Sequence, residues 1–289
     1  MAPVLITGGG GVLGRRVAAE LRRASREVIS CGRVPGLGVD AVWDVAIDDR
    51  PSAEYEPEVV VHAAALTGGF QGALEGAERF MEVNVGGTLR VVRWAVERGV
   101  RDVVLISGAI VYGEWSDAPK TEEDEVAPWI AGPYAVSKWC SEQVAGLLRA
   151  TTCELTVLRL GSLYGAGYGG GLAQRFLASG RAEGRIALAA PFDDSFGLLH
   201  VADAARTIAA SAAAGGLWNV GGGLVSIRDL AAACAEAVSA DLELDKVEVP
   251  ARPGRILNWV DDRRARDALG HANEVSLKAG VAEIAGIDE

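Results

Sequence analysis

A tyrosine and a lysine four residues apart are the side chains of this sequence best suited to proton transfer. Tyr134 and Lys138 lie in the segment Gly-Pro-Tyr-Ala-Val-Ser-Lys. Residues i and i+4 share one face of a helix, so the ammonium group of Lys138 can lie beside the phenol of Tyr134. A nearby cation favours the phenolate, and we expect Lys138 to lower the pKa of Tyr134 from its ordinary value of about 10. Because this spacing also occurs by chance on exposed helices, its meaning depends on what else the chain carries.

A glycine-rich turn near the start of the chain supplies that second signal. It has the spacing Gly-x-x-Gly-x-x-Gly, follows an apolar run and opens a helical pattern. The first glycine allows a tight turn, the second lets the backbone approach a pyrophosphate, and the third lets helix and strand pack closely. The phosphates of a dinucleotide would then lie at the helix N-terminus. The predicted contacts of the turn are Gly8, Gly11, Val12, Leu13 and Gly14.

Short β-branched runs alternate with longer helical patterns through the first half of the chain. The predicted strands are residues 4–6, 27–31, 59–62, 103–107 and 155–160, with a late strand at 217–220. The predicted helices are residues 12–24, 72–98, 133–151 and 201–214. Apolar strands separated by helices are typical of a parallel sheet that is covered on both faces. The pattern therefore predicts a doubly wound α/β fold.

The composition changes after Tyr164. A glycine-rich segment over residues 165–171 suits a linker or a mobile substrate loop. Beyond Gly223 the chain mixes helical runs with a strand-like segment over residues 246–250. We predict a dinucleotide-binding domain over residues 1–165, with its sheet completed by residues 198–221, and a smaller substrate-binding lobe over residues 166–289.

The overall composition indicates a compact globule and argues against several classes of partner. Of the 289 residues 49% are hydrophobic, and the formal net charge of -11 argues against a nucleic-acid partner. Four scattered cysteines lack the spacing of a metal site or a disulfide framework, so we predict no metal. Apolar stretches are too short to cross a bilayer, and the first strand begins too early to leave room for a signal peptide. We expect a cytoplasmic protein with a small-molecule substrate and no membrane partner.

The motifs together resemble the extended short-chain dehydrogenase/reductase family, the NAD-dependent epimerase/dehydratase group. The matching segments, in the order of the family, are residues 7–14, 44–45, 62–65, 84–88, 111–113, 134–138, 158–165, 200–203 and 252–254. The resemblance implies a Rossmann fold, an enzyme, and a homodimer that forms through the helices over residues 72–98 and 133–151.

The resemblance also assigns roles to individual residues. It implies that Asp44 and Val45 contact the adenine and that Lys138 binds the nicotinamide ribose. The segment that lines the central part of the cofactor is Ala63, Ala64 and Ala65. Asn84 and Tyr134 complete the implied contacts. His62, His200 and His271 receive no catalytic role, since a histidine that ends an apolar strand is more often packed and hydrogen-bonded.

The end of the second predicted strand favours NADP. A site that prefers NAD usually carries an acid there, which binds the ribose 2′-hydroxyl. This chain has Gly32 followed by Arg33, which removes repulsion against a 2′-phosphate and supplies a bidentate cation. We therefore expect NADP, with NAD as the alternative. An exposed loop arginine without a ligand is the simpler interpretation of Arg33.

Three positions depart from the pattern of the family. Gly108 occupies the place of a catalytic Ser or Thr, whose hydroxyl bonds the substrate oxygen. Ser107 is the candidate replacement, although adjacent side chains of a strand point to opposite faces. Ala109 and Ile110 replace the Asp-Glu pair of sugar-nucleotide 4,6-dehydratases, which argues against elimination. Phe196 stands where nucleotide-sugar enzymes carry a phosphate-binding Arg, which favours a less charged substrate.

These observations favour an NADP(H)-dependent oxidoreductase of the carbonyl reductase or alcohol dehydrogenase type. Hydride would pass between the nicotinamide and a substrate carbon, while Tyr134 exchanges a proton with the substrate oxygen and Lys138 assists it. Two alternatives stay open. One is a nucleotide-sugar 4-epimerase with retained NAD, and the other is a cofactor-binding protein whose catalysis is impaired by Gly108.

Overall fold

Within the residues that the structure describes, seven parallel strands form a central sheet. The structure is a computed structural model and describes residues 3–36, 38–68, 74–113, 115–168, 171–188, 193–244 and 255–286. The strands are, in chain order, β1 (Val4–Thr7), β2 (Val28–Gly32), β3 (Ala41–Val42), β4 (Val59–His62), β5 (Asp102–Gly108), β6 (Trp115–Ser116), β7 (Glu154–Leu160), β8 (Ser162–Tyr164), β9 (Arg185–Leu188), β10 (Ser195–His200), β11 (Gly216–Val220), β12 (Gly223–Ser226), β13 (Asp241–Leu244) and β14 (Ile256–Leu257). The order across the central sheet is β11-β7-β5-β4-β1-β2-β3, and each neighbouring pair is parallel.

The helices follow the predicted alternation with the strands. They are, in chain order, α1 (Val12–Arg23), α2 (Leu74–Phe80), α3 (Gly87–Glu97), α4 (Pro128–Ala131), α5 (Pro133–Ala145), α6 (Leu172–Glu183), α7 (Val201–Ala210), α8 (Ile227–Val238), α9 (Arg263–Leu269) and α10 (Leu277–Ala285). None of the helices in the described part of the chain has the length and hydropathy needed to span a membrane.

Apolar side chains cover both faces of the central sheet. Along β1, Val4 and Ile6 belong to one hydrophobic cluster, and Leu5 belongs to the other. Along β4, Val59 joins the first cluster and Val60 the second. Helices α1 and α7 contribute buried residues to the first cluster, and α3 contributes to the second. This arrangement confirms the doubly wound α/β fold, because each strand needs apolar residues on both sides.

The predicted helix over residues 72–98 consists, within its described residues, of three consecutive helical segments. Between α2 and α3 the chain widens into a π-helical segment, Met81–Gly86. The carbonyl of Asn84 accepts hydrogen bonds from the hydroxyls of Thr88, at 2.6 Å, and Ser141, at 3.0 Å. These donors compete with the regular backbone bonds, which favours the wider turn.

Two other predicted helices end earlier than expected. The helix over residues 133–151 is α-helical to Ala145 and continues as a 3₁₀ turn, Gly146–Ala150, because Gly146 weakens the regular helix. The helix over residues 201–214 ends at Ala210, where the hydroxyl of Ser211 donates to the Ile208 carbonyl at 2.9 Å.

Smaller sheets lie beside the central one. Strands β12, β10, β14 and β6 form a second sheet, with β8 also paired to β10, and β13 pairs with β9. A separate hydrophobic cluster joins α6, α8 and α10. The predicted strand over residues 246–250 and the motif over residues 252–254 lie outside the described residues. The division of the chain at residue 165 stays a prediction.

Candidate active site

The glycine-rich turn joins β1 to α1 so tightly that a Cβ atom does not fit at two of its glycines. Gly8 has a φ of +71°, and a Cβ there would lie 2.7 Å from the Cα of Ala64. A Cβ on Gly14 would lie 2.3 Å from the carbonyl oxygen of Gly8. Gly11 precedes α1 and supplies no capping side chain, so the first backbone N–H groups of the helix lack a side-chain acceptor. The turn therefore leaves a place for an anionic group, as a pyrophosphate requires.

The segment after β4 lies against this turn. The backbone N–H of Ala63 donates to the Thr7 carbonyl at 3.2 Å, and that of Ala64 donates to the Thr7 hydroxyl at 3.3 Å. Ala63, Ala64 and Ala65 are half-buried. The Asn84 amide holds the end of the segment, since it accepts from the Leu66 N–H at 2.7 Å and donates to the Leu66 carbonyl at 3.1 Å.

His62 is a packed residue, as expected. Its Nδ1 lies 2.7 Å from the Thr7 hydroxyl, and its Nε2 lies 3.1 Å from the Thr88 hydroxyl. Burial, together with the charge of Lys138, lowers the pKa of His62 to about 3. The imidazole is therefore neutral at physiological pH and serves as a hydrogen-bonded part of the core.

Tyr134 and Lys138 lie on α5, but they do not interact in the predicted way. The ammonium group of Lys138 is buried and donates to the carbonyl of Ile106 on β5 at 2.5 Å. The ring of Tyr134 packs 5.7 Å from that of Phe80, between centroids. Burial, with a further contribution from Tyr168, raises the pKa of Tyr134 to about 12. The predicted lowering of this pKa by Lys138 is therefore wrong, because burial raises the pKa and the Lys138 ammonium is directed at the Ile106 carbonyl.

The helix that carries this pair is fixed by hydrogen bonds behind it. The Asn84 amide donates to the Ser137 hydroxyl at 2.8 Å, which in turn donates to the Tyr134 carbonyl at 2.7 Å. Burial lowers the pKa of Lys138 to about 8, although the nearby Glu142 carboxylate opposes the shift. The Tyr134 hydroxyl has no hydrogen-bond partner among the described residues, so it is available to a ligand.

The hydroxyl of Ser107 is engaged within the core. It donates to Glu142 Oε1 at 2.6 Å, and Arg159 completes a two-point ion pair with the same carboxylate at 3.0 and 2.7 Å. The Arg159 guanidinium also lies 4.7 Å from the centre of the Tyr112 ring. A catalytic role for Ser107 stays a prediction, and this hydrogen bond argues against it.

Sequence reasoning missed the ion pair of Glu142 and Arg159, and the sequence offers a signal for Glu142 alone, while the position of Arg159 beside Ser107 becomes visible only in the folded sheet. Glu142 lies four residues after Lys138 on the same helix. Arg159 stands opposite Ser107 in the parallel pairing of β5 and β7.

Gly108 leaves space at the position of the missing hydroxyl. Its backbone is extended, with φ at -147° and ψ at 148°. A Cβ there would lie 3.6 Å from the Ile110 side chain and 3.8 Å from the Leu160 carbonyl, which are ordinary contacts. A Cβ atom would therefore fit at this position without rearrangement.

The predicted contacts for the adenosine end lie at the ends of β2 and β3. Arg33 is exposed and makes no ion pair or hydrogen bond with the described residues. A Cβ on Gly32 would lie 2.8 Å from the Val39 side chain, so an acid does not fit there unless Val39 moves. Asp44 is half-buried and accepts from the Ala46 N–H at 3.1 Å, while Val45 is buried.

Comparison with known proteins agrees with this geometry. Residues 4–221 match the NAD dependent epimerase/dehydratase family. A UDP-glucose 4-epimerase of Mycolicibacterium smegmatis is 32% identical over 243 residues, which cover 80% of this chain and 76% of that enzyme. The dTDP-6-deoxy-L-talose 4-dehydrogenase (NAD(P)(+)) of Kitasatospora kifunensis is 28% identical and is matched over 98% of this chain and 94% of its own.

Other relatives match over a shorter stretch. The dTDP-L-rhamnose 4-epimerase of Burkholderia thailandensis is 29% identical, and the match spans 57% of this chain and 58% of that enzyme. The chain thus spans little more than half the length of some relatives that it matches. Among solved structures, MoeE5 in complex with UDP-glucose and NAD has a TM-score of 0.81 at 25% identity, with 98% of this chain and 97% of that chain covered. Since the family match extends over residues 4–221, the chain belongs to the NAD-dependent epimerase/dehydratase family of extended short-chain dehydrogenases/reductases and is an enzyme.

Proposed function

We propose that the protein is an NAD(P)-dependent oxidoreductase that interconverts a secondary alcohol and a carbonyl group on a small molecule, with Tyr134 as the proton donor and acceptor. The observation that carries the proposal is the phenol of Tyr134, which has no hydrogen-bond partner in the described part of the chain and lies on α5 together with Lys138. Its support is the glycine turn, where a Cβ on Gly14 would overlap the Gly8 carbonyl and where the helix N–H groups lack a side-chain cap. These features fit a dinucleotide.

The residues of the chain would bind and orient the reactants and move the proton. The nicotinamide supplies hydride chemistry when it is bound. The Tyr134 phenol would donate its proton to a carbonyl oxygen during reduction, and it would accept the proton back during oxidation. Lys138 would hold the ribose. The Lys138 side chain is itself buried and therefore shielded from water.

The comparisons favour a nucleotide sugar as the substrate. The names of three relatives place their reactions at position 4 of a nucleotide sugar, as a UDP-glucose 4-epimerase, a dTDP-L-rhamnose 4-epimerase and a dTDP-6-deoxy-L-talose 4-dehydrogenase. We therefore propose hydride transfer at this position. Two of these three names are 4-epimerases, so the comparisons support the second candidate, a 4-epimerase with retained NAD, better than net oxidation.

Phe196 favours a different substrate class. Its half-buried ring on β10 cannot bind a phosphate, which supports a less charged carbonyl compound. A panel of UDP-, dTDP- and GDP-hexoses together with uncharged secondary alcohols and ketones, tested with NAD and NADP, separates the candidates. We expect net oxidation or reduction of at least one member of the panel with the added cofactor. Interconversion without net reduction, in protein that copurifies with NAD, would identify the epimerase. Absence of cofactor binding would contradict the proposal.

A further inference from the structure

Glu142 lies one helical turn from Lys138, on the same buried face of α5. The two residues are four positions apart, which puts their Cβ atoms about 5–6 Å from each other. They are 8% and 5% exposed. The Lys138 ammonium donates to the carbonyl of Ile106, and the Glu142 carboxylate accepts from the hydroxyl of Ser107. The two opposite charges therefore lie against consecutive residues of β5, in a part of the protein that water does not reach.

Arg159 holds the Glu142 carboxylate in this place. Strand β5 lies between β7 and β4 in the central sheet, and Arg159 stands on β7 opposite Ser107. Its guanidinium binds both oxygens of the carboxylate, at 3.0 and 2.7 Å, while Ser107 donates to one of them at 2.6 Å. The carboxylate is thus bound from β7 and from β5, and it cannot turn away from Lys138 into solvent.

Glu142 and Arg159 are the charged side chains of this cluster near neutral pH. Three further titratable groups surround it in the described part of the chain, namely His62 on β4, Tyr112 after β5 and Tyr134 on α5. Burial lowers the pKa of His62 to about 3 and raises the pKa of both tyrosines, so all three groups are neutral there. A nearby carboxylate favours the protonated form of an amine and a nearby cation disfavours it, and both effects are strong where water is excluded.

We propose that Glu142 is a positioning residue that keeps Lys138 protonated, so that the ammonium can bind the nicotinamide ribose at neutral pH, and that Arg159 fixes Glu142 for this role. The inference rests on the proposed function, in which Lys138 holds the ribose. The charge of Glu142 offsets the cost of burying the ammonium, a cost that favours the neutral amine. Without this carboxylate the amine would lose its proton at a lower pH, and its hydrogen bond to the ribose would weaken.

The pH at which Lys138 loses its proton tests the inference directly. Protein labelled with 13C-lysine gives few Cε signals, because the lysines of the sequence are Lys120, Lys138, Lys246 and Lys278. Lys138→Met identifies the signal of Lys138. We expect the midpoint of this signal to fall by about one pH unit or more in Glu142→Gln. The midpoint should not move in Glu243→Gln, whose carboxylate pairs with Arg185 while about half of each side chain is exposed.

Arg159 supplies a control of opposite sign. Arg159→Met removes the cation and leaves the carboxylate, so the midpoint of Lys138 should rise. The double change Glu142→Met and Arg159→Leu leaves neither charge buried alone, and replacing a buried ion pair by apolar residues is often neutral for stability. The midpoint in this double variant should lie between those of the wild type and Glu142→Gln.

Cofactor binding gives a second readout. At neutral pH Glu142→Gln should bind the cofactor about tenfold more weakly than the wild type, and a lower pH should restore most of the loss, which a distorted site would not show. A midpoint in Glu142→Gln equal to that of the wild type, or a weakened Kd that lower pH does not restore, would overturn the inference while the proposed function stands. If the wild type binds neither NAD nor NADP, the proposed function fails, and the lysine titration still decides whether Glu142 sets the charge of Lys138.

Discussion

Tyr134 is the residue on which the proposed chemistry depends most directly. Tyr134→Phe removes only the transferable proton, while the ring can keep its contact with Phe80. We expect turnover to fall about 10²- to 10⁴-fold with the cofactor Kd unchanged. Lys138→Ala should lower turnover and also weaken cofactor binding, since Lys138 would also hold the ribose. Steady-state kinetics and cofactor titration check the two variants, and full activity of Tyr134→Phe would show that another group transfers the proton.

Lys138 gives cofactor binding a pH dependence. Its pKa lies at about 8, lowered from 10.5 by burial, so the free protein loses this charge as the pH rises through about 8. The neutral amine is a weaker donor to the ribose, and the cofactor Kd should therefore rise over this range. In Lys138→Met the binding should be weak at every pH, without a step near this value. Calorimetric titration from neutral to alkaline pH measures both proteins. A wild-type Kd that does not change with pH would contradict the prediction.

Arg33 should decide the preference between the two dinucleotides. The guanidinium is exposed, has no partner among the described residues, and follows a glycine at which an acid would fit only if Val39 moved. Charge-assisted hydrogen bonds to a 2′-phosphate contribute about 1.5–3 kcal/mol, so NADPH should bind about tenfold or more tightly than NADH. Arg33→Ala should remove this difference, whereas Arg50→Ala, at another exposed position, should not. Fluorescence titration with both cofactors gives the ratio, and an equal affinity in the wild type would exclude the role.

At the scale of secondary-structure elements, the Glu142–Arg159 ion pair joins α5 to the central sheet. Both side chains are 6% exposed. Arg159→Met leaves the Glu142 carboxylate buried without its cation, and we expect the free energy of unfolding to fall by about 3–5 kcal/mol. Arg185→Met is the matched control, since Arg185 pairs with Glu243 while about half of each side chain is exposed. The control should cost at most about 1 kcal/mol. Denaturant unfolding measures the free energy of unfolding of both variants. An equal loss of stability in the two would contradict the prediction.

The same elements show which features the sequence could predict. The strands of the central sheet are apolar on both faces, so even short runs such as Val59–His62 were correctly found. The π-helical segment was missed because it depends on the Ser141 hydroxyl, which comes from another helix. The engagement of Ser107 was missed for a similar reason. Its partner Glu142 is 35 residues away and approaches only when α5 packs on β5. The prediction that the pKa of Tyr134 is lowered failed for a similar reason. The spacing of Tyr134 and Lys138 along the chain cannot show how deeply the phenol is buried, and burial raises its pKa.

At the scale of the whole molecule, α1 and α10 connect the cofactor edge to the C-terminal part of the chain. Arg16, on α1, forms an ion pair with Glu283 on α10. The other oxygen of Glu283 lies 2.9 Å from Nε2 of His200, at the end of β10. The ring of Tyr164 packs at right angles to His200, with centroids 5.0 Å apart. These contacts fix the start of the loop that follows β8 relative to α1, and therefore relative to the glycine-rich turn.

The family resemblance predicts that two copies of the chain assemble through α3 and α5. Leu89 and Val96 are 48% and 43% exposed, and their spacing of seven residues puts them on one face of α3. Leu147, in the 3₁₀ turn after α5, is 60% exposed. A second copy of the chain would cover these side chains. We expect a dimer in sedimentation velocity and a monomer after the double change Leu89→Asp and Val96→Asp, because buried carboxylates would oppose association. Leu224→Asp is the control, since Leu224 is also 48% exposed but lies on β12. A monomeric wild type, or dissociation of the control as well, would contradict an interface at these helices.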